Sequence, residues 1–315
     1  MNGNNRQTPY GDGELQEKIT SMNWKALFFG TPAFALLVLS IVLGFAASAA
    51  GEGAEEYTAL GLSAVGCFVA FLVFTLCYMR AKRQIKAFIG EHVTRKLLAE
   101  VFEVEEYDGK GFMKKPYIVD SGLIHGWDEC GGSDYLRGKY KGYNILFSDT
   151  TLYRVTETTD SDGDRSTIRD RIFVGQWMVI RHDRHVSTPL RLRDKAIFKT
   201  GARIAPNDIV TDNAAFNTRF QIESDGGQGA HLVLTPQFMD FLLNAEAKTK
   251  GYLLICFEGS SVHIGIHNNS NAFEPTGRQL RDIESLRRAH RADIKYLTDI
   301  LDELMRNEFL FQKKR

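Results

Sequence analysis

Two long apolar segments near the N-terminus constrain the fold of this chain more than any other feature. Residues 26–50 and 58–79 contain no Asp, Glu, Lys, Arg or His. At about 1.5 Å per residue, a helix of either length crosses a hydrocarbon core of about 30 Å. A buried core helix or a signal peptide fits less well, because both runs are bounded by charge and the second soon follows the first. The sequence therefore predicts two transmembrane helices, joined by a short outer loop at 51–57.

The charges that flank these segments predict the orientation of the chain. The loop carries Glu52, Glu55 and Glu56 and no basic residue, whereas Arg80 and Lys82 open a basic stretch just after the second segment. Basic flanks stay in the cytoplasm. We therefore expect both termini inside the cell, with a cytoplasmic N-terminal segment at 1–25 and only the acidic loop outside.

Small residues recur every four positions in both predicted spans, and they favour close packing of the two helices. They are Ser40, Gly44 and Ser48 in the first span and Ala59, Ser63 and Cys67 in the second. The alternative is that these residues have no packing role, because small residues are common in membrane helices in general. Because neither span contains Asp, Glu, Lys, Arg or His, we interpret the hairpin at 26–79 as an anchor and not as an ion pathway.

The rest of the chain predicts an α+β fold. Residues 80–107 are expected to form a juxtamembrane helix, and 108–315 a cytoplasmic domain with antiparallel β-hairpins and a long C-terminal helix. Strand patterns occupy 142–147, 151–159, 168–181, 216–223, 229–234, 252–257 and 261–266. Residues 258–260 predict a hairpin turn between the last two strands. Thr235 is predicted to cap a helix that begins at Pro236, and the C-terminal helix is predicted to begin at Thr276.

Charge and composition exclude several classes of protein. Lys plus Arg and Asp plus Glu each number 39, which excludes a strongly basic nucleic-acid binder, and four cysteines exclude a disulfide scaffold. Residues 165–203 nevertheless hold ten basic and three acidic residues. Within them, Arg181, Arg184, Arg191 and Arg193 are predicted to form a surface for anionic lipid or a partner. Their alternation equally fits solvated strand faces, which is the alternative.

Motifs for catalysis and for metal or cofactor binding are weak. No phosphate-binding loop, dinucleotide fingerprint, nucleophile elbow or metalloprotease motif occurs. The acidic loop 160–164 resembles a calcium loop, but its glycine and its expected bidentate Glu are misplaced. His182 with His185, and His263 with His267, lack Cys or carboxylate partners at ligand spacing, and Cys130 lacks an identifiable base. We therefore predict no catalytic, cofactor or metal residues, and an enzyme is the least favoured class.

Several motifs in a fixed order resemble one known family. They are Gly138-Lys139-Tyr140-Lys141-Gly142, Ile172-Phe173-Val174-Gly175, Phe216 with Phe220, the helix start Leu234-Thr235-Pro236, and Phe273-Glu274-Pro275. Together they resemble the DUF3137 family of bacterial domains of unknown function, sometimes mislabelled galanin-like. The aromatic-rich stretch that usually follows the glycine is here Gln176-Trp177-Met178, which departs from the family pattern. The resemblance implies an uncharacterised bacterial membrane protein, often encoded near LemA-type membrane proteins, and it supplies no catalytic residues.

These observations favour a non-enzymatic function at the bacterial inner membrane. The preferred hypothesis is a membrane-tethered interaction or scaffold module that recruits a protein partner, such as a LemA-type protein. The alternative is a regulatory module that faces anionic lipid through residues 165–203, and the third is an enzyme of unknown type. Membrane lipids are expected partners, a homo-oligomer is compatible with the sequence, and no cofactor or nucleic acid is expected.

Overall fold

The computed structural model describes residues 10–50, 55–159, 165–200, 209–224, 230–231, 233–249, 251–307 and 310–311. The acidic loop 160–164, considered above for calcium, lies outside these residues. The chain forms two compact units, one from Met1–Val93 with Pro275–Arg287 and the other from Thr94–Glu274 with Arg288–Arg315. We refer to them as the helical unit and the sheet unit.

Two long helices build the helical unit, and they contain the two apolar segments. Helix α1 spans Asp12–Ala50 and α2 spans Glu55–Ile89, followed by a π-helical turn at Gly90–Thr94 and α3 at Arg95–Ala99. The juxtamembrane helix predicted at 80–107 is continuous with the second span but ends at Ala99, and residues 103–107 lie in a strand instead. A short 3-10 helix at Gln279–Arg281 belongs to the same unit.

The sheet unit contains a six-stranded antiparallel sheet. Its strands are β1 (Glu103–Asp108), β2 (Glu129–Tyr140), β3 (Tyr143–Thr159), β4 (Arg165–Asp194), β5 (Phe220–Ser224) and β6 (Tyr252–His267). The order is β1-β2-β3-β4-β5, and β6 also pairs with β4. Strands β2 and β3 are joined at Lys141 and Gly142, whose φ angles of 49° and 82° suit a tight two-residue hairpin. The predicted α+β class with an antiparallel sheet is confirmed.

Strand β4 organises the sheet because three strands pair along its 30 residues. Strand β3 pairs with its first half, β6 runs from Gly175↔His267 to Arg193↔Leu254, and β5 joins its final residues. The hairpin predicted at 258–260 is wrong, because both halves of β6 pair with the same strand. Gly259, at a φ of 56°, lies opposite Val186 where the register shifts, so the turn signal marks a bulge.

Four α-helices and a 3-10 turn follow in the described residues of the remainder of the chain. They are α4 (Lys115–Ser121), α5 (Ala214–Arg219), α6 (Pro236–Lys248), α7 (Ile283–Met305) and a 3-10 turn at Lys195–Thr200. Thr235 caps α6 as predicted, since its side chain accepts a hydrogen bond from Phe238 N. The strand predicted at 216–223 begins only at Phe220, because Asn213 caps α5 in front of it. The strand predicted at 229–234 is wrong, because residues 230, 231 and 233 are helical. The C-terminal helix, predicted to begin at Thr276, begins at Ile283.

Apolar side chains cover both faces of the sheet. Trp177 and Phe173 of β4 are fully buried in a cluster that also contains Ile118 of α4. On the opposite face of β6, Phe257 packs against Phe238 of α6, with ring centroids 6.0 Å apart. The apolar stripe predicted for the C-terminal helix is buried throughout, at Leu280, Ile283, Leu286, Ile294, Leu297, Leu301 and Leu304.

Candidate functional site

The two long helices expose a large number of apolar side chains. Mean hydropathy reaches 2.3 in α1 and 2.4 in α2 over their most apolar windows, and almost none of those residues is buried. Phe45 and Leu62 are 75% and 74% exposed. The chain thus has two helices long and apolar enough to cross a membrane, with the exposed apolar surface that lipid would cover.

One of the predicted packing residues joins the two helices directly. Ser40 Oγ of α1 donates a hydrogen bond of 3.0 Å to Ala64 O of α2. Cys67, one turn further along α2, is half-buried. Gly44 is half-buried too, but a Cβ built on it would meet no atom within 4 Å, so close approach does not require glycine there.

The other small residues do not line the contact between the helices. Ser48 and Ser63 are exposed and donate to carbonyl oxygens of their own helices, Gly44 O and Ala59 O respectively. Sequence reasoning missed a close contact between Gly30 of α1 and Tyr78 of α2. A Cβ on Gly30 would lie 3.0 Å from the ring of Tyr78.

Both helices continue beyond their apolar segments into polar sequence. Helix α1 begins 14 residues before residue 26, and α2 continues 10 residues beyond residue 79, or about 20 and 15 Å of helix. Near these ends, Arg287 donates to Asp12 at 2.6 Å, and Ile283 N donates to Gln16 Oε1 at 2.6 Å. These two hydrogen bonds hold residues 283 and 287 against the polar N-terminal part of α1.

Two of the four predicted surface arginines are enclosed in an ionic network. The Arg193 side chain is 1% exposed and donates to Glu223 Oε2 at 2.6 Å. Arg191, 14% exposed, donates to the other oxygen of Glu223 at 3.1 Å. One carboxylate therefore compensates two guanidinium groups, and these arginines are not available to a lipid surface.

The same guanidinium groups hold the end of helix α4. Arg193 donates to Gly122 O at 2.7 Å and to Leu123 O at 2.8 Å, and Arg191 donates to Ser121 O at 2.8 Å. Gly122 ends the helix with a φ of 59°, and a Cβ there would lie 2.7 Å from Arg191 Nε. The network thus explains both the arginines and the glycine as structural residues.

The other two arginines of that set remain exposed. Arg181 is the last paired residue before a register shift in β4, and Arg184 lies within that shift, with the buried His182 and the exposed Asp183 between them. Asp183 accepts a hydrogen bond of 2.9 Å from Tyr143 OH. The basic surface predicted from the sequence is therefore reduced to these two side chains.

The histidine pair of β6 contributes to packing. His263 is buried, and burial lowers its pKa to about 4, with Asp120 opposing this shift. His267 Nδ1 accepts from Val174 N at 3.1 Å, and its ring stacks on Tyr252. Neither ring belongs to a group of three or more His, Cys, Asp or Glu able to hold a metal within the described part of the chain.

The one loop-borne cysteine predicted from the sequence lies in strand β2. Cys130 is half-buried, and burial raises its pKa while the Lys115 ammonium lowers it to a smaller extent. A raised pKa disfavours the thiolate, which is the nucleophilic form. Burial also raises the pKa of Cys256 to about 12.

A buried polar network that sequence reasoning missed joins β3 and β4 to the loop after β6. Asp149 Oδ1, in a 1% exposed side chain, accepts from Ala272 N at 2.9 Å. Gln176 donates to Ser270 O at 2.8 Å and accepts from Asn268 Nδ2 at 2.8 Å. Gln176, which departs from the family pattern, thus fastens this loop to the sheet.

A second buried group contains residues of the kind found in active sites. Tyr107 OH donates to Asp134 Oδ1 at 2.7 Å, and burial together with Asp134 raises the tyrosine pKa. His290 Nδ1 lies 3.3 Å from Thr94 Oγ1, and burial lowers its pKa to about 4. All four residues are less than 9% exposed, so a substrate would reach them only after local opening.

Comparison with known proteins gives few matches. No protein of curated function matches the chain. A crystal structure of the mycobacterial trehalose monomycolate transport factor A, TtfA, is similar at 12% sequence identity and a TM-score of 0.37. The match covers 70% of this chain and 95% of that one, and a score this low carries no inference.

The family comparison is more informative. The model of DUF3137, a protein of unknown function, matches residues 171–306, from β4 to the end of α7. This region holds four of the five motifs on which the resemblance was based, including Gly175 and the Thr235 cap. The match confirms that this chain, over residues 171–306, resembles the DUF3137 family of proteins of unknown function.

Proposed function

We propose that this protein is a non-enzymatic interaction module anchored in the bacterial inner membrane. Helices α1 and α2 cross the bilayer, and the sheet unit and both termini lie in the cytoplasm. The exposed apolar surface of the two helices carries this proposal, since it needs lipid to cover it. The basic residues that follow residue 79 support the orientation.

The titratable residues of the sheet unit support a binding function more than a catalytic one. Arg193 and Glu223 hold the end of α4, and Asp149 fastens a loop. Catalysis would need a nucleophile, a base and a space for substrate together. The candidates described above are instead engaged in packing and in internal hydrogen bonds.

Topology reporters test the anchor. A reporter active only in the cytoplasm is fused after Arg315, and one active only outside the membrane is placed in loop 51–57. We expect activity from both fusions and retention of the chain in membranes after carbonate washing. Activity of an external reporter after Arg315, or release of the chain by carbonate, would contradict the proposal.

Affinity purification tests the recruitment of a partner. The tagged full chain is extracted from its native membrane in mild detergent, and its proteins are identified by mass spectrometry. A two-span membrane protein of similar abundance with the same tag is the control. We expect a stoichiometric protein, for example of the LemA type, or a second copy of this chain, and neither with the control. Recovery of the chain alone as a monomer contradicts the scaffold.

Exposure of Arg181 and Arg184 favours a second candidate, a regulatory module that binds anionic lipid. The Arg181→Gln/Arg184→Gln variant is compared with the original chain for anionic lipid retained during purification. Reduced retention supports this candidate, and equal retention removes these two arginines from it.

A further inference from the structure

The segment at 109–119, between β1 and the middle of α4, combines basic and exposed apolar side chains. It contains Lys110, Lys114 and Lys115 and no acidic residue, although Asp108 and Asp120 flank it. Phe112, Tyr117 and Val119 are 39%, 40% and 51% exposed. In the described part of the sheet unit, the other large apolar side chains of comparable exposure are Val101, Ile168 and Val210, which are separated in sequence.

The fold holds this segment firmly while leaving these side chains outside. Met113 is 0% exposed and its N–H donates to Ser148 Oγ at 3.0 Å, and Ile118 is 1% exposed. Lys115 Nζ lies 4.9 Å from the centre of the Trp127 ring. Because Met113 and Ile118 anchor the segment, its backbone is already ordered, and binding orders only the exposed side chains.

We propose that this segment, here named the lysine-aromatic patch (residues 110–119), docks on a bilayer that contains anionic phospholipid. Aromatic and aliphatic side chains enter the boundary between headgroups and acyl chains, and lysines reach the phosphates. The inference rests on the proposed membrane anchor, which makes the bilayer a permanent neighbour of the chain. It is independent of any protein partner, and it assigns lipid contact to residues outside the basic stretch 165–203.

Charge complementarity identifies the occupant. Lys110 and Lys114 are exposed and form no ion pair among the described residues. Lysines with a few interspersed apolar side chains are typical of surfaces that bind anionic membranes peripherally. An acidic protein surface offers the same charge, and it is the competing outcome of the experiment.

Spin labels on the full chain in lipid nanodiscs test the docking. A label is attached through Val119→Cys, or through Ile168→Cys as a control of similar exposure, at 51% and 48%. The other cysteines are replaced by Ala except Cys256, which is fully buried and will not be labelled. Collisions with oxygen and with a water-soluble nickel chelate report whether each label lies in lipid.

We expect the label at 119 to be accessible to oxygen and shielded from nickel in discs with 30% anionic lipid, but accessible to nickel in neutral discs. The label at 168 should stay accessible to nickel in both. The Lys110→Gln/Lys114→Gln variant should lower the ratio of docked to undocked label by about 30-fold, at about fivefold per lysine. The control Arg165→Gln/Arg171→Gln removes the same charge from exposed positions of β4 and should leave the ratio unchanged.

Three results overturn the proposal. They are nickel access at 119 in anionic discs, lipid contact at 168 in place of 119, or shielding of 119 only after a protein from the native membrane is added. The last result would assign the patch to an acidic partner. Because the chain stays in the disc through α1 and α2 in each case, loss of docking is distinguishable from failure of the anchor.

Discussion

Replacement of Glu223 by Gln tests whether the buried arginine network holds the sheet unit together. The change preserves the size of the side chain but removes the carboxylate that faces Arg191 and Arg193. Both guanidinium groups then keep their contacts to the carbonyl oxygens of 121–123, but they lose their counter-charge. A buried charge without its partner is strongly destabilising, since neither water nor an opposite charge solvates it.

The burial of these residues determines the expected magnitude. The Arg193 and Glu223 side chains are 1% and 9% exposed, and loss of one partner from such a pair costs about 3–5 kcal/mol of unfolding free energy. For a domain of this size, that corresponds to a decrease of about 10 °C in Tm. The matched control is Glu129→Gln, whose partner Arg169 lies with it in water at 54% and 48% exposure, and it should leave Tm almost unchanged.

Thermal unfolding of the full chain in detergent, followed by near-ultraviolet circular dichroism, provides the measurement. Hydrogen exchange should show in addition that amides of residues 118–126 exchange faster in Glu223→Gln than in the control. Equal Tm values for the two variants, or unchanged exchange at the end of α4, would refute the structural role of the network.

Three further predictions concern backbone packing, pH and helix capping. Gly175→Ala should lower Tm strongly, because its Cβ would lie 1.9 Å from Ile266 O, whereas Gly131→Ala, with no atom nearer than 4.0 Å, should be tolerated. Since burial lowers the pKa of His263 to about 4, the unfolded chain binds the extra proton first as the pH falls, and unfolding free energy should decrease between about pH 6.5 and 4. His263→Phe should flatten this dependence in urea titrations, and an unchanged slope contradicts it. Thr235→Ala should lower unfolding free energy by about 1 kcal/mol in the same titration, through loss of its cap, and no change would argue against it.

Local signals in the sequence predicted the parts of the fold that depend on neighbouring residues. The uncharged segments 26–50 and 58–79 lie in two long helices, and the Thr235-Pro236 signal coincides with the start of α6. The apolar stripe of the C-terminal helix is buried as expected, although the helix starts at Ile283 and not at Thr276. Hydropathy and capping act over a few residues, which is why they can be read without the fold.

Pairing over long distances explains the errors in the sheet. Residues 252–257 and 261–266 were expected to form a hairpin, yet they are one strand beside β4. The Gly259 signal is the same for a turn and for a bulge, and only the presence of a partner strand of 30 residues decides between them.

The candidate functional residues also divide into features that the sequence predicted and features that only the tertiary structure decided. The chain alone determined two membrane-length helices, a balanced charge and a basic stretch, because these properties follow from composition along the sequence. Only the tertiary structure decided that Arg191 and Arg193 lie inside beside Glu223, while Phe112, Tyr117 and Val119 lie outside. A strand face is solvated or buried according to what packs on it, and here α4, more than 60 residues earlier in the chain, covers the arginines.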